Sequence, residues 1–184
     1  YVPKNRNDPQ ERADWILSHH RMEWTRWKVT QINSWVNEVW RIKQQERPEC
    51  QLCLHLIPWP DSLLNSARLE VTAQDPTALS EWIDLFSPMI YHKKMGRPIE
   101  WIGDVVREAS VMTGKRVVPS IQARQIGNEG EISGEAFCRL LAYAGSEPSR
   151  GWVIFHWGYL MPCGAEDPER MIKRDCLRRL ISKP

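Results

Sequence analysis

Gly151-Trp152-Val153-Ile154-Phe155-His156-Trp157-Gly158-Tyr159-Leu160 is a short run of apolar, β-branched and aromatic residues bracketed by glycines. A run of this length and composition reads as a strand buried in a parallel sheet. It is the last of four. The others are Cys50 to Trp59, Asp84 to His92 and Lys115 to Gln122, and a helical pattern lies between each pair. Strands alternating with helices predict right-handed βαβ units and a parallel sheet. In such sheets ligands gather beyond the C-terminal ends of the strands, so function is expected there.

Working outward, the helix boundaries are written in the punctuation. Asp8-Pro9-Gln10-Glu11 places an N-cap, a proline at the first helical position and a glutamate where a capping box wants it. A helix is predicted from there to about Glu46, stopped by Pro48. Val29, Ile32, Val36 and Val39, flanked by Trp24, Trp27, Trp35 and Trp40, give it a wide apolar face expected to pack on a sheet. Further helices are predicted from Asp75-Pro76 to about Trp82, from Pro98 to a C-cap at Gly114, from Ser133 to about Ala144, and from Asp167-Pro168 onward. The basic face of the last reads as solvated. The simplest organisation is a single α/β domain over 1–184, with a leading long helix over 1–48 and β/α units over 49–184.

Composition narrows the function classes. The 184 residues carry 25 basic and 23 acidic side chains, a net charge of +2, which argues against nucleic acid or an anionic membrane as partner. No apolar run approaches the roughly 20 residues that span a bilayer, and Tyr1-Val2-Pro3-Lys4-Asn5 has no signal-peptide core. The chain as given reads as soluble, with its compartment open. Five cysteines are an odd number. Cys50 and Cys53 share a strand on which residues three apart face opposite ways, so they read as small buried apolar side chains rather than half a zinc site, and no disulfide framework is expected. The His19-His20 pair reads as surface, because adjacent helical positions do not converge on a metal. No Gly-x-Ser-x-Gly elbow or phosphate-cradling loop is present, and no cofactor or metal is expected. Ten tryptophans suit a bulky core or a platform for flat ligands.

Alternate strand residues give the face that looks into the crevice: Cys53, His55, Ile57 and Trp59; Ser87, Met89 and Tyr91; Val118, Ser120 and Gln122; Val153, Phe155 and Trp157. Trp59, Tyr91, Gln122 and Trp157 are expected to ring one pocket, with Asp61, His92 and His156 nearby. A sugar ring needs such a mixture, since its C–H face packs on an indole while its hydroxyls seek amides and carboxylates. The alternative is that Phe155 and Trp157 fill the interior and the polar ends meet water. Glycoside hydrolysis needs two carboxyl groups, or one working with the substrate's own amide. None lies at the inward strand positions; Asp61 is the catalytic candidate from a loop, beside Asp75, Glu129 and Glu131. The loop from Ala123 to Ile132, with Gly127 and Gly130, is expected to be mobile.

The succession resembles the C-terminal half of glycoside-hydrolase-like (β/α)₈ barrels, a broad bacterial group distantly akin to chitinase-type barrels. Ser87-Pro88-Met89-Ile90-Tyr91 is similar to that group's sixth strand, Val117-Val118-Pro119-Ser120-Ile121-Gln122 to its seventh and Gly151 to Trp157 to its eighth; Cys50 to Trp59 stands as the fifth. The resemblance covers nearly the whole chain. It implies half of a TIM barrel with about four β/α units, Tyr91 and Trp157 lining the subsite around the scissile bond, and Gln122 bonded to sugar. It also implies a leading carboxylate at the end of a fourth strand, in a motif of the type Asp-Tyr-Val-Arg-aromatic-Pro. Here Tyr1-Val2-Pro3 opens the sequence without the arginine and aromatic, and the aspartate is expected before Tyr1.

Half a barrel exposes two sheet edges that must be covered. The chain is therefore a fragment, a half that pairs with a second copy or another chain, or a rearranged open sheet. The expected function is binding or hydrolysis of an oligosaccharide or polysaccharide at the strand rim, with Trp59, Tyr91, His92, Gln122 and Trp157 as contacts and catalysis dependent on a partner half. The rivals are a non-catalytic sugar-binding module and a protein-interaction module that uses the first helix.

Overall fold

The computed structural model describes residues 8–182 except 61, 65, 147, 150 and 162–166. They fall into two compact units, one drawn from Tyr1–Cys50 and Trp59–Trp82, the other from Gln51–Pro58 and Ile83–Pro184.

The first unit is helical. Asp8 caps α1 (Pro9–His19), its carboxylate accepting from the Gln10 N–H at 2.8 Å. The single helix predicted to Glu46 is instead broken at His20, where φ is −138° and ψ 32°, and α2 (Arg21–Glu46) follows. The local packing gives a reason: both His19 and His20 rings lie 4.9 Å from the Trp15 indole. Consecutive helical residues point about 100° apart, so an unbroken helix would separate them. In α2 the face of Val29, Ile32, Val36 and Trp40 is half-buried, while Trp27 and Trp35 are 53% and 70% exposed. Those two do not meet the expectation that the tryptophans pack on a sheet. Two short helices, α3 (Ala67–Glu70) and α4 (Pro76–Leu79), pack on α2, and Glu70 takes Arg21 at 3.3 Å and, through its carbonyl, the Lys28 ammonium.

The second unit holds the parallel strands. β1 (Cys53–Leu56) pairs with β2 (Leu85–Pro88), and β2 with β3 (Arg116–Val117). β4 (Ser120–Gln122) pairs with β5 (Val153–Phe155), and a parallel bridge from Met89 to Ser120 joins the two ladders. The run from Lys115 to Gln122 is thus two strands, because Pro119 has no N–H to give a ladder. Val118 donates back to Phe86 at 2.9 Å, whereas the Pro119 carbonyl accepts from Val153 on the other side at 2.9 Å. Within each ladder the strands lie side by side in chain order, and β1 and β5 each have a strand partner on one side only among the described residues.

One face of these strands is closed. Leu56, Phe86, Val117 and Ile121 are at most 2% exposed, and burying each stabilises by about 1.5–3 kcal/mol. Helix α5 (Trp101–Thr113) lies against β2 and β3 with Ile102, Val105, Val106 and Ala109 buried, and Gly114 ends it at φ 64° as predicted. Helix α6 (Gly134–Ala144), capped by Ser133 as predicted, buries Phe137, Leu140, Leu141 and Ala144 and packs on α7 (Pro168–Ile181). The other face differs: Ser87, Ser120 and Gln122 are buried in its middle, while Cys53, His55, Val153 and Phe155 at its margins are exposed.

Two cysteine expectations are corrected. Cys138 on α6 and Cys176 on α7 form a disulfide with Cα atoms 5.7 Å apart, a contact that depends on helix packing and leaves no local trace in sequence. Cys50 and Cys53, expected as buried apolar side chains, are exposed free thiols, because β1 ends the sheet and its outward margin meets solvent.

Candidate functional site

Where β2, β4 and β5 end, the polar middle and the aromatic margin of the open face meet. Tyr91 follows β2 directly, and its ring centroid lies 5.4 Å from that of Phe155 on β5. Burial pushes the Tyr91 phenol up, partly opposed by its hydrogen bond with Ser120. Phe155 is 39% exposed and meets His156 edge-on at 5.3 Å and Tyr159 at 6.3 Å; the His156 and Tyr159 rings lie 3.8 Å apart, and the Arg124 guanidinium sits 4.2 Å over Tyr159. The result is a continuous aromatic surface with one cation on its rim.

The backbone around His156 supports that surface. The peptide bond between Phe155 and His156 is cis, and Trp157–Tyr159 forms one turn of 3₁₀ helix. His156 Nδ1 accepts from the Gly158 N–H at 3.1 Å, which leaves Nε2 as the ring's donor. A Cβ at residue 158 would stand 2.8 Å from His156 Cε1, so a larger residue there would displace the imidazole. His92, next to Tyr91, is half-buried; burial, then the neighbouring Lys93, holds its pKa below the usual histidine value, and its Nδ1 has no hydrogen-bond partner among the described residues.

Gln122 reaches this edge, but its side chain is wholly engaged. Its Oε1 accepts from the Lys94 N–H at 3.1 Å, and its Nε2 donates to the Arg124 carbonyl and to Glu129 Oε1, each at 3.1 Å. It is 0% exposed. With both donors and its acceptor used within the chain, this amide ties the loop after β2 to the loop after β4. Glu129 completes that tie. Its carboxylate accepts from Ile126 N–H at 2.7 Å and Gly127 N–H at 2.8 Å, and these bonds, with the one from Gln122, hold its pKa at about 2. Glu131 accepts from Gln125 N–H at 3.2 Å and from the Lys173 ammonium on α7 at 2.9 Å; burial raises its pKa, but these bonds outweigh it and leave it lowered. Both loop glutamates are held as ionised acceptors, Glu129 by its own loop with Gln122 and Glu131 by Gln125 with Lys173, which suits neither to deliver a proton.

Of the sequence-predicted contacts, Tyr91, His92 and Gln122 come together at one edge. Trp157 is 61% exposed and lines an open groove of about 330 Å³ with Met161, Leu177 and Ile181, flanked by Arg174 and Arg178. Trp59 belongs to the first unit, half-buried, with its indole N–H buried and no acceptor among the described residues. Asp61, the catalytic candidate, lies outside the described residues. Sequence reasoning missed the parts of Tyr159 and Arg124. The signal for Tyr159 was its position just beyond Gly158; Arg124 carried none, since a stacked cation is set by tertiary approach.

Among solved structures, the chain is similar to the PgaB (BpsB) glycoside hydrolase domain from Bordetella bronchiseptica, with a TM-score of 0.62 over 92% of this chain and 18% sequence identity. The likeness is one of fold. The chain spans about half, 48%, of that solved chain. No family model and no curated protein matches the sequence. What is established is a distant glycoside-hydrolase-like α/β fold with short parallel strands.

Proposed function

We propose that this protein binds an oligosaccharide across the C-terminal ends of its parallel strands, as one half of a barrel of glycoside-hydrolase type, and that hydrolysis requires a carboxyl group from Asp61 or from a partner half. The observation that carries the reading is the exposed aromatic surface of Phe155, His156 and Tyr159 backed by Tyr91 on the open face. Such a surface takes the C–H face of a sugar ring, and His92 and His156 Nε2 supply groups for its hydroxyls. Trp157, exposed in its own groove beside the 3₁₀ turn, is a further stacking candidate, and Gln122 acts by holding the two loops.

Titration with a panel of oligosaccharides, read by tryptophan fluorescence and calorimetry, tests this. Saturable binding weakened about tenfold or more by Tyr91→Ala and by Trp157→Ala, a change of roughly 1.4 kcal/mol each, is the expected result. Binding that survives both substitutions unchanged sinks the reading. Turnover assays then separate hydrolysis from binding alone, with loss in Asp61→Asn expected if that carboxylate is the acid.

A second reading, a protein-interaction module, draws on α2. Trp27, Trp35, Val39 and Ile42 are all at least half exposed and share one side of the helix, within an arc of about 120° at 3.6 residues per turn. A dimer seen by light scattering and dispersed by Trp35→Lys would favour it.

A further inference from the structure

The strand-end loop is held not only by its own glutamates but by the last helix, and the last helix is held by a covalent bond. Three groups of α7 point the same way: Glu169, Lys173 and Cys176 follow at steps of four and three, which places them on one face. The Glu169 carboxylate accepts from the Gly134 N–H at the start of α6. The Lys173 ammonium, only 4% exposed, reaches Glu131. Cys176 is bonded to Cys138. Approach at this point is close, since a Cβ on Gly134 would stand 2.5 Å from that of Ile172.

Of the residues of α7, Lys173, Cys176 and Leu177 are buried, and Ile172 stands against Gly134. A buried ammonium is favourable only while its carboxylate stays in place, so the Lys173 contact stands or falls with the docking of the helix. The chain of contacts then runs inward: Glu131 holds the Gln125 N–H, Lys93 donates to the Glu131 carbonyl, and Gln122 joins the loops on either side.

We propose that the Cys138–Cys176 disulfide is a redox-sensitive clamp on the strand-end loop, so that the candidate site is ordered in the oxidised protein and loosened in the reduced one. On reduction a dithiol gives two electrons and two protons, the S–S bond breaks to two thiols, and the reductant closes to its own disulfide. With the tether gone, α7 fluctuates away from α6, Lys173 leaves Glu131, and residues 124–132 lose one wall. The inference concerns loop order and does not depend on which ligand the site takes.

Peptide mapping of the whole chain under non-reducing conditions, followed by hydrogen exchange with and without dithiothreitol, tests it. A linked 138–176 peptide and a fall in amide protection of about tenfold over 124–134 on reduction are expected, with the strands β2 and β4 unchanged. Cys138→Ser should reproduce the reduced pattern, and Cys50→Ser with Cys53→Ser should leave the response intact. Unlinked thiols, unchanged protection over 124–134, or loss of protection throughout the second unit would each overturn the proposal.

Discussion

The two faces of the parallel strands obey different rules. On one, Leu56, Phe86, Val117 and Ile121 meet helices and are shut from solvent; on the other, Ser87, Ser120 and Gln122 are buried polar groups bounded by exposed Phe155 and His55. The closed face is held by area, which is forgiving of detail but costly to lose. The open face is held by particular hydrogen bonds and ring contacts, which contribute less to stability and fix shape at the strand ends. A protein that needs a rigid support and a receptive surface in one short sheet can place them back to back.

Phe86→Ala probes the difference most strongly. A loss of about 3–5 kcal/mol in denaturant unfolding is expected on the closed face; less than 1 kcal/mol would mean that this face is not the core. Phe155→Ala, on the open face, is expected to cost no more than about 1 kcal/mol of stability, while oligosaccharide affinity drops about tenfold. A large stability loss with intact binding would reverse the roles assigned to the two faces.

Acid titration sharpens the comparison on a smaller scale. Glu129 has a depressed folded-state pKa, so its contribution is complete above the unfolded carboxylate value near 4.3 and is lost as the pH falls through about 2. Hydrogen exchange at Ile126 and Gly127 should therefore stay slow at pH 4 and rise several-fold near pH 2, and Glu129→Gln should raise it already at neutral pH. The smallest effect expected is that of Gly158→Ala. It should displace the His156 imidazole, seen as a shift of its Cε1–H resonance, and change stability by no more than about 1 kcal/mol.

The helix ends, those over the closed face among them, were legible in the sequence because they rest on local signals. Gly114, Ser133 and the Asp-Pro pairs at 8, 75 and 167 mark helix ends through backbone chemistry that acts within a few residues, and all of them cap as read. The alternation of runs predicted a parallel sheet. The open face was read less well, because its features are settled by contacts far apart in sequence. Gln122 was rightly put at a strand end, yet its partners at 94 and 129 come from two loops whose courses no local pattern fixes. The disulfide was missed for the same reason, its cysteines being 38 residues apart on helices that meet only in the fold. Pro119 was an overlooked local clue: its missing N–H was enough to split a predicted strand in two.

The outer strands carry a consequence for handling the molecule. An unpaired β edge is a template on which another chain can add, and long flat apolar edges seed aggregates. Here β5 is three residues long and β1 four, and β5 runs straight into the 3₁₀ turn at Trp157. Each edge therefore offers an incoming strand only a handful of ladder positions before the backbone turns away. Brevity of this kind limits how far the edges seen among the described residues can template another chain.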